Sequence, residues 1–180
     1  MAIFDDIPFM RDLERRFKQE FSLPDSDDRQ TYKIYYSRLS RSDFLFLGIN
    51  PGGDPESKDN FSASNAYFEN WEHDFVEFRE NTKYKLASPA YKFLSTLIGS
   101  SGNSKIAAIP ATNLCFWRSK DSSKIPKGKP DHLKYVGEII DYVNPRIIVL
   151  VSSRDKYFEF LARAAHLEQP QLLMPEVFYP

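Results

Sequence analysis

The chain has 180 residues, 42% hydrophobic and 27% charged, with a formal net charge of −1. That is the composition of one ordinary domain, not of a disordered or fibrous chain, and the near balance of charge argues against a protein that coats nucleic acid over its whole surface. The single cysteine, Cys115, excludes an internal disulfide and a four-cysteine zinc or iron–sulfur centre, and no run approaches the roughly 20 apolar residues of a membrane span.

Asp5 and Asp6 stand where a secretory leader would be basic and apolar, so a cytoplasmic location with no membrane partner is expected. Residues 8–21 carry Phe9, Leu13, Phe17 and Phe21 at four-residue spacing, one stripe of a helix, and the acidic, turn-rich stretch 23–30 ends it. Residues 44–49, Phe-Leu-Phe-Leu-Gly-Ile, form a short apolar run without polar alternation, as in a strand buried on both faces of a parallel sheet. Asn50-Pro51-Gly52-Gly53-Asp54-Pro55 stops it with a loop of special backbone geometry.

After a polar and aromatic segment, 56–86, residues 89–98 predict a helix with proline in its first turn and Gly99 as its stop. A second apolar run, 106–109, leads into Ala111-Thr112-Asn113-Leu114. Asp131 is placed to cap a helix running to Val143, closed by Asn144-Pro145. Residues 146–152 give the clearest buried strand, followed by a helix over 154–166 and a last strand over 172–179. No internal repeat appears.

Strands alternating with helices predict an α/β fold with a mainly parallel sheet. Ligands bind such sheets outside the carboxyl ends of the strands, which points to the loops after Ile49, Ile109 and Val151, and to whatever follows the last strand. The loop after Ile49 has neither Gly-x-x-x-x-Gly-Lys-Ser/Thr nor Gly-x-Gly-x-x-Gly, so neither of those nucleotide cradles is present. Taken alone, Asn-Pro-Gly is an ordinary strand-to-helix turn.

Phe46-Leu47-Gly48-Ile49-Asn50-Pro51-Gly52 resembles the first active-site motif of the uracil-DNA glycosylase superfamily, nearest the mismatch-specific, thymine-DNA and single-strand-selective branches. Thr112-Asn113-Leu114 is similar to the family's middle strand, and 131–152 to its next helix–strand unit. The resemblance covers residues 44–152. It implies a single domain over 1–180, a three-layer α/β/α sandwich around a central, mainly parallel four-stranded sheet, with no cofactor and no metal.

It also implies a chemistry. Cleaving an N-glycosidic bond needs an extruded base, a positioned water and stabilisation of the departing base. The family's motif asparagine holds the water, which makes Asn50 the catalytic residue expected here. The base pocket would be formed by Gly48, Ile49, Pro51, Gly52 and Asn113, with Phe61, eleven residues beyond Asn50, as the ring that stacks on the base. Phe61 matches by rough position only, and Tyr67 and Phe68 compete with it.

Residues 118–134 are the one charge-biased window, with six basic residues against two acidic, a net of +4. Alone this is as readily a solvated lysine-rich connection as a binding loop. After a family-like strand it predicts phosphate contacts from Arg118, Lys120, Lys124, Lys127 and Lys129. Trp117 is a stacking surface or core. His73, His132 and His166 form no metal or triad arrangement, and Cys115, with no base beside it, is expected to be a buried thiol.

The expected function is removal of uracil or a related damaged or mismatched base from DNA by a monomeric enzyme. One alternative is a catalytically inactive member of the same fold that binds DNA or protein. A flavodoxin-like nucleotide or cofactor binder fits the strand pattern but has no supporting motif. The resemblance also implies a second active-site loop after the last strand; the sequence ends at Tyr179-Pro180, where that loop would begin, which predicts weak activity on duplex DNA.

Overall fold

The computed structural model describes residues 6–23, 32–49, 51, 76, 80, 87–99, 102–119 and 132–150. Three strands, β1 (Phe44–Gly48), β2 (Ala111–Asn113) and β3 (Ile147–Leu150), form a parallel sheet in the order β2-β1-β3. Phe46 pairs with Ala111 and Gly48 with Asn113 on one side of β1, and Phe44 with Ile147 on the other. β1 is central because its side chains are apolar on both faces. Leu45 and Leu47 enter one core while Phe46 enters the other, the alternation that a pleated strand imposes.

Helices cover both faces. On the Leu45/Leu47 face lie α1 (Asp6–Glu20), which contributes Met10, Leu13 and Phe17, and the helix over Leu133–Val143, which contributes Tyr135, Val136, Ile139, Ile140 and Val143. On the Phe46 face lie α2 (Ala87–Leu97), with Ala90 and Leu94, and the one-turn α3 (Asn103–Ala107), with Ile106. The Leu133–Val143 helix is α4 in chain order. The parallel α/β reading of the sequence therefore holds for three strands; the expected fourth, over 172–179, and the 154–166 helix lie outside the described residues.

The helix ends follow local chemistry. Asn144 adopts φ 52°, the left-handed stop that asparagine tolerates, and its N–H returns to the Ile140 carbonyl at 2.8 Å. Gly99, at φ 60°, ends α2 as expected. At its start, α4 has His132 in the cap position with no side-chain cap bond, and Asp131, the expected cap, lies outside the described residues.

One expectation is overturned. No strand ends at Ile109: residues 103–107 form α3, and the strand is at 111–113, overlapping Thr112-Asn113-Leu114, where the resemblance puts the middle strand. Four apolar residues are too few for periodicity to separate helix from strand. Ile106 is buried from the helix, the Ile109 N–H bonds back to the Ile106 carbonyl at 3.0 Å, and Pro110 leads into β2 with its carbonyl accepting from Phe46 N. The loop at the carboxyl end of this strand thus begins at Leu114, not after Ile109.

A segment that the sequence reading passed over closes the edge of β2. Tyr35 bridges Thr112 and Tyr32 bridges Trp117, both antiparallel. Tyr36 N donates to the Ala111 carbonyl at 2.9 Å and Lys33 N to the Phe116 carbonyl at 2.8 Å. Thr112 Oγ1 donates to the Ile34 carbonyl at 2.6 Å. The pairing satisfies polar groups that an open edge would leave exposed.

Candidate functional site

The site is built where β1 and β2 end side by side. Their pairing continues past the strands: Leu114 N donates to the Gly48 carbonyl at 2.7 Å, and Cys115 N to the Ile49 carbonyl at 2.8 Å. Two loops therefore leave the sheet zipped together, and both departing chains are held in register.

Gly48 and Asn113, register partners, share the face of Phe46 and Ala111. Asn113 is fully buried. Its Nδ2 donates to the Lys33 carbonyl at 3.0 Å, which fixes the carboxamide plane. Its Oδ1 has no hydrogen-bond partner among the described residues. A buried amide oxygen without a donor costs about 1–3 kcal/mol, so a donor brought to it, from a water or a guest, is favoured.

Gly48 is what makes room for that oxygen. A Cβ at residue 48 would lie 3.0 Å from Asn113 Oδ1 and 3.3 Å from Tyr36 Cε2. Gly48→Ala is therefore expected to displace the Asn113 carboxamide and the Tyr36 ring while the parallel sheet persists. A crystal structure or amide spectrum of the variant would check this, and an Asn113 side chain left in place would contradict it.

Lys33 and Tyr36 complete this face, and neither was singled out from sequence. Lys33 is only 6% exposed, with Nζ 5.2 Å from the centre of the Tyr36 ring, a cation–π distance. The signal available was the aromatic and β-branched stretch Tyr32-Lys33-Ile34-Tyr35-Tyr36, which fits a paired strand edge.

Of the residues expected in the base pocket, the structure brings Gly48, Ile49, Pro51 and Asn113 together at this end of the sheet. Pro51 is buried and Ile49 half-buried. Asn50, Gly52 and Phe61 lie outside the described residues, as do Lys120, Lys124, Lys127 and Lys129 of the expected phosphate loop. Arg118 is described, and it is turned inward: it is 8% exposed, and Nη1 donates to the Pro51 carbonyl at 3.4 Å. Lys134, at the other end of that window, pairs with Glu20 of α1.

Trp117 resolves toward core, packed on Phe17 and Phe21 with ring centres 5.3 Å away in both cases. Cys115 is a buried free thiol, and burial pushes its pKa up to about 11, which suits a packing group and not a nucleophile. His132 is buried, with Nε2 3.2 Å from the Leu114 carbonyl, so the imidazole braces the start of the loop after β2. No group of three or more His, Cys, Asp or Glu that could hold a metal occurs among the described residues. Nor, among them, is any helix long and apolar enough to cross a membrane.

Compared with protein-family models and with curated proteins, the chain matches none of them.

Proposed function

We propose that the chain is an N-glycosyl hydrolase of the uracil-DNA glycosylase type, removing uracil or a related base from DNA. The observation that carries the reading is the fully buried Asn113 Oδ1, unpartnered among the described residues and lying against a bare Gly48 at the carboxyl end of a parallel sheet. An amide oxygen is the kind of acceptor that the ring N–H of a pyrimidinedione or hypoxanthine takes, and the bond to Lys33 fixes the carboxamide that carries it.

The resemblance of residues 46–52 to the family's first motif supplies the chemistry. Asn50 would hold the attacking water. The C1′–N bond breaks with its electron pair leaving on the base, the water oxygen then bonds to C1′, and the water's proton passes to solvent. Asparagine takes up no proton at neutral pH, so its part is orientation, consistent with a sugar that departs as an oxocarbenium-like cation. A four-stranded sheet of the family's kind and phosphate contacts from the lysine-rich loop belong to the same proposal.

The test is release of free base and alkali-labile strand breaks from oligonucleotides carrying uracil, hypoxanthine or a G·T mismatch, single-stranded and duplex. Release of any of these bases supports the reading. Binding of DNA without release at enzyme excess would favour the inactive binding module instead.

A further inference from the structure

Arg118 stands in the most basic stretch of the chain, yet its side chain is buried and directed back into the fold. The segment carrying it is fixed residue by residue. Cys115 N is bonded to the Ile49 carbonyl, the Phe116 carbonyl to Lys33 N, and Trp117 is bridged to Tyr32. From that anchored segment the guanidinium reaches across to the loop after β1, and Pro51 is one of its partners.

Pro51 is the residue through which that loop can best be held. Its ring already fixes φ, and a proline disfavours helical geometry in the residue before it. The remaining soft angle is ψ of Pro51, and the direction of its carbonyl reports that angle. A donor on the Pro51 oxygen therefore restrains that angle and holds the chain just after Asn50. The Cys115 N–H on the Ile49 carbonyl holds the other side at 2.8 Å.

We infer that Arg118 is a positioning residue: it fastens the loop after β2 to the Pro51 carbonyl and so steadies the loop after β1, and it does not contact the DNA backbone. This rests on the proposed glycosylase reading for its effect on rate, but the fastening itself is independent of that reading.

The test compares Arg118→Ala and Arg118→Lys with the parent chain. For Arg118→Ala the single-turnover rate of uracil release should fall by about 10- to 100-fold, the scale on which small misplacements act. The DNA concentration for half-saturation should stay within about twofold, since positioning acts on the reacting geometry and not on uniform binding. The slope of log binding constant against log salt should not change, and Arg118→Lys, which keeps one donor, should recover part of the rate. Hydrogen exchange at the Leu114 and Cys115 amides should quicken in Arg118→Ala by about threefold or more, as local opening becomes easier.

A salt slope flattened by about 0.9, with the rate unchanged, would make Arg118 a phosphate contact and overturn the inference. If the parent releases no base, the glycosylase reading fails on its own. The exchange measurement then decides, and unchanged exchange at Leu114 and Cys115 would overturn the fastening.

Discussion

Replacing Asn50 by alanine is expected to slow base release by about 10² or more, the loss typical when a preorganised polar group is removed from a reacting centre. The melting temperature should stay within a few degrees. The first half follows from the role that the proposed function gives Asn50, and the second from its place in the chain, between two anchored residues. The Ile49 carbonyl is tied to Cys115 N, and the Pro51 carbonyl accepts from Arg118. Those ties are backbone-directed, so removing the Asn50 carboxamide leaves them in place. Asn50→Asp separates orientation from charge: a water-holding role tolerates the isosteric change better than the truncation. An Asn50→Ala protein that unfolds, or that releases base as fast as the parent, would contradict the assignment.

Phe17→Ala is expected to be the costliest single truncation in the first core. Phe17 is 0% exposed. Its ring meets Phe21, Tyr32, Phe116, Trp117 and Tyr135, with centres 4.9 to 5.7 Å away. Those neighbours come from α1 and its end, the edge segment, the loop after β2 and α4, so one side chain joins four parts of the fold. Removing a buried phenyl costs about 3–5 kcal/mol, because the cavity collapses only in part. Against a typical total of about 5–15 kcal/mol that is a large fraction. The urea midpoint should fall accordingly at an unchanged slope. A loss under about 1 kcal/mol would show that the aromatic cluster is loosely packed.

Phe9 provides the contrast on the same helix stripe. It stacks on Tyr142 with ring centres 4.0 Å apart, but it is only partly buried and touches the rim of the core. The four-residue spacing of Phe9, Leu13, Phe17 and Phe21 marked the helix and its inward face. It could not rank the four, because rank depends on what the other elements bring to each position.

The same division runs through the rest of the molecule. β1 and β3 were legible because a strand covered on both faces must be apolar without alternation, and few other structures need such a run. The end of α4 was legible because Asn-Pro combines a residue that tolerates left-handed geometry with one that cannot continue a helix. The 106–109 run was misread because four apolar residues serve a one-turn helix as well as a strand, and only its packing under β1 decides.

At the site, Gly48, Ile49, Pro51 and Asn113 were brought to one end of the sheet as the strand-end rule implies. Lys33 and Tyr36 were not legible. They reach the site from an edge segment paired antiparallel to β2, a long-range contact with no local signature. Arg118 was legible as a basic residue in a basic stretch, but composition says nothing about the direction of a side chain. Its inward turn depends on the anchoring of Cys115, Phe116 and Trp117.

The central claim is that the carboxyl end of β1 and β2 receives a nucleobase through Asn113. The most direct measurement is a titration of the isotopically labelled chain with free uracil, following the Asn113 side-chain amide by NMR. The account predicts saturable shifts at Asn113 and at the amides of Gly48 and Leu114, lost in Gly48→Ala. An Asn113 amide that does not move at millimolar uracil, or shifts confined to another part of the fold, would contradict it.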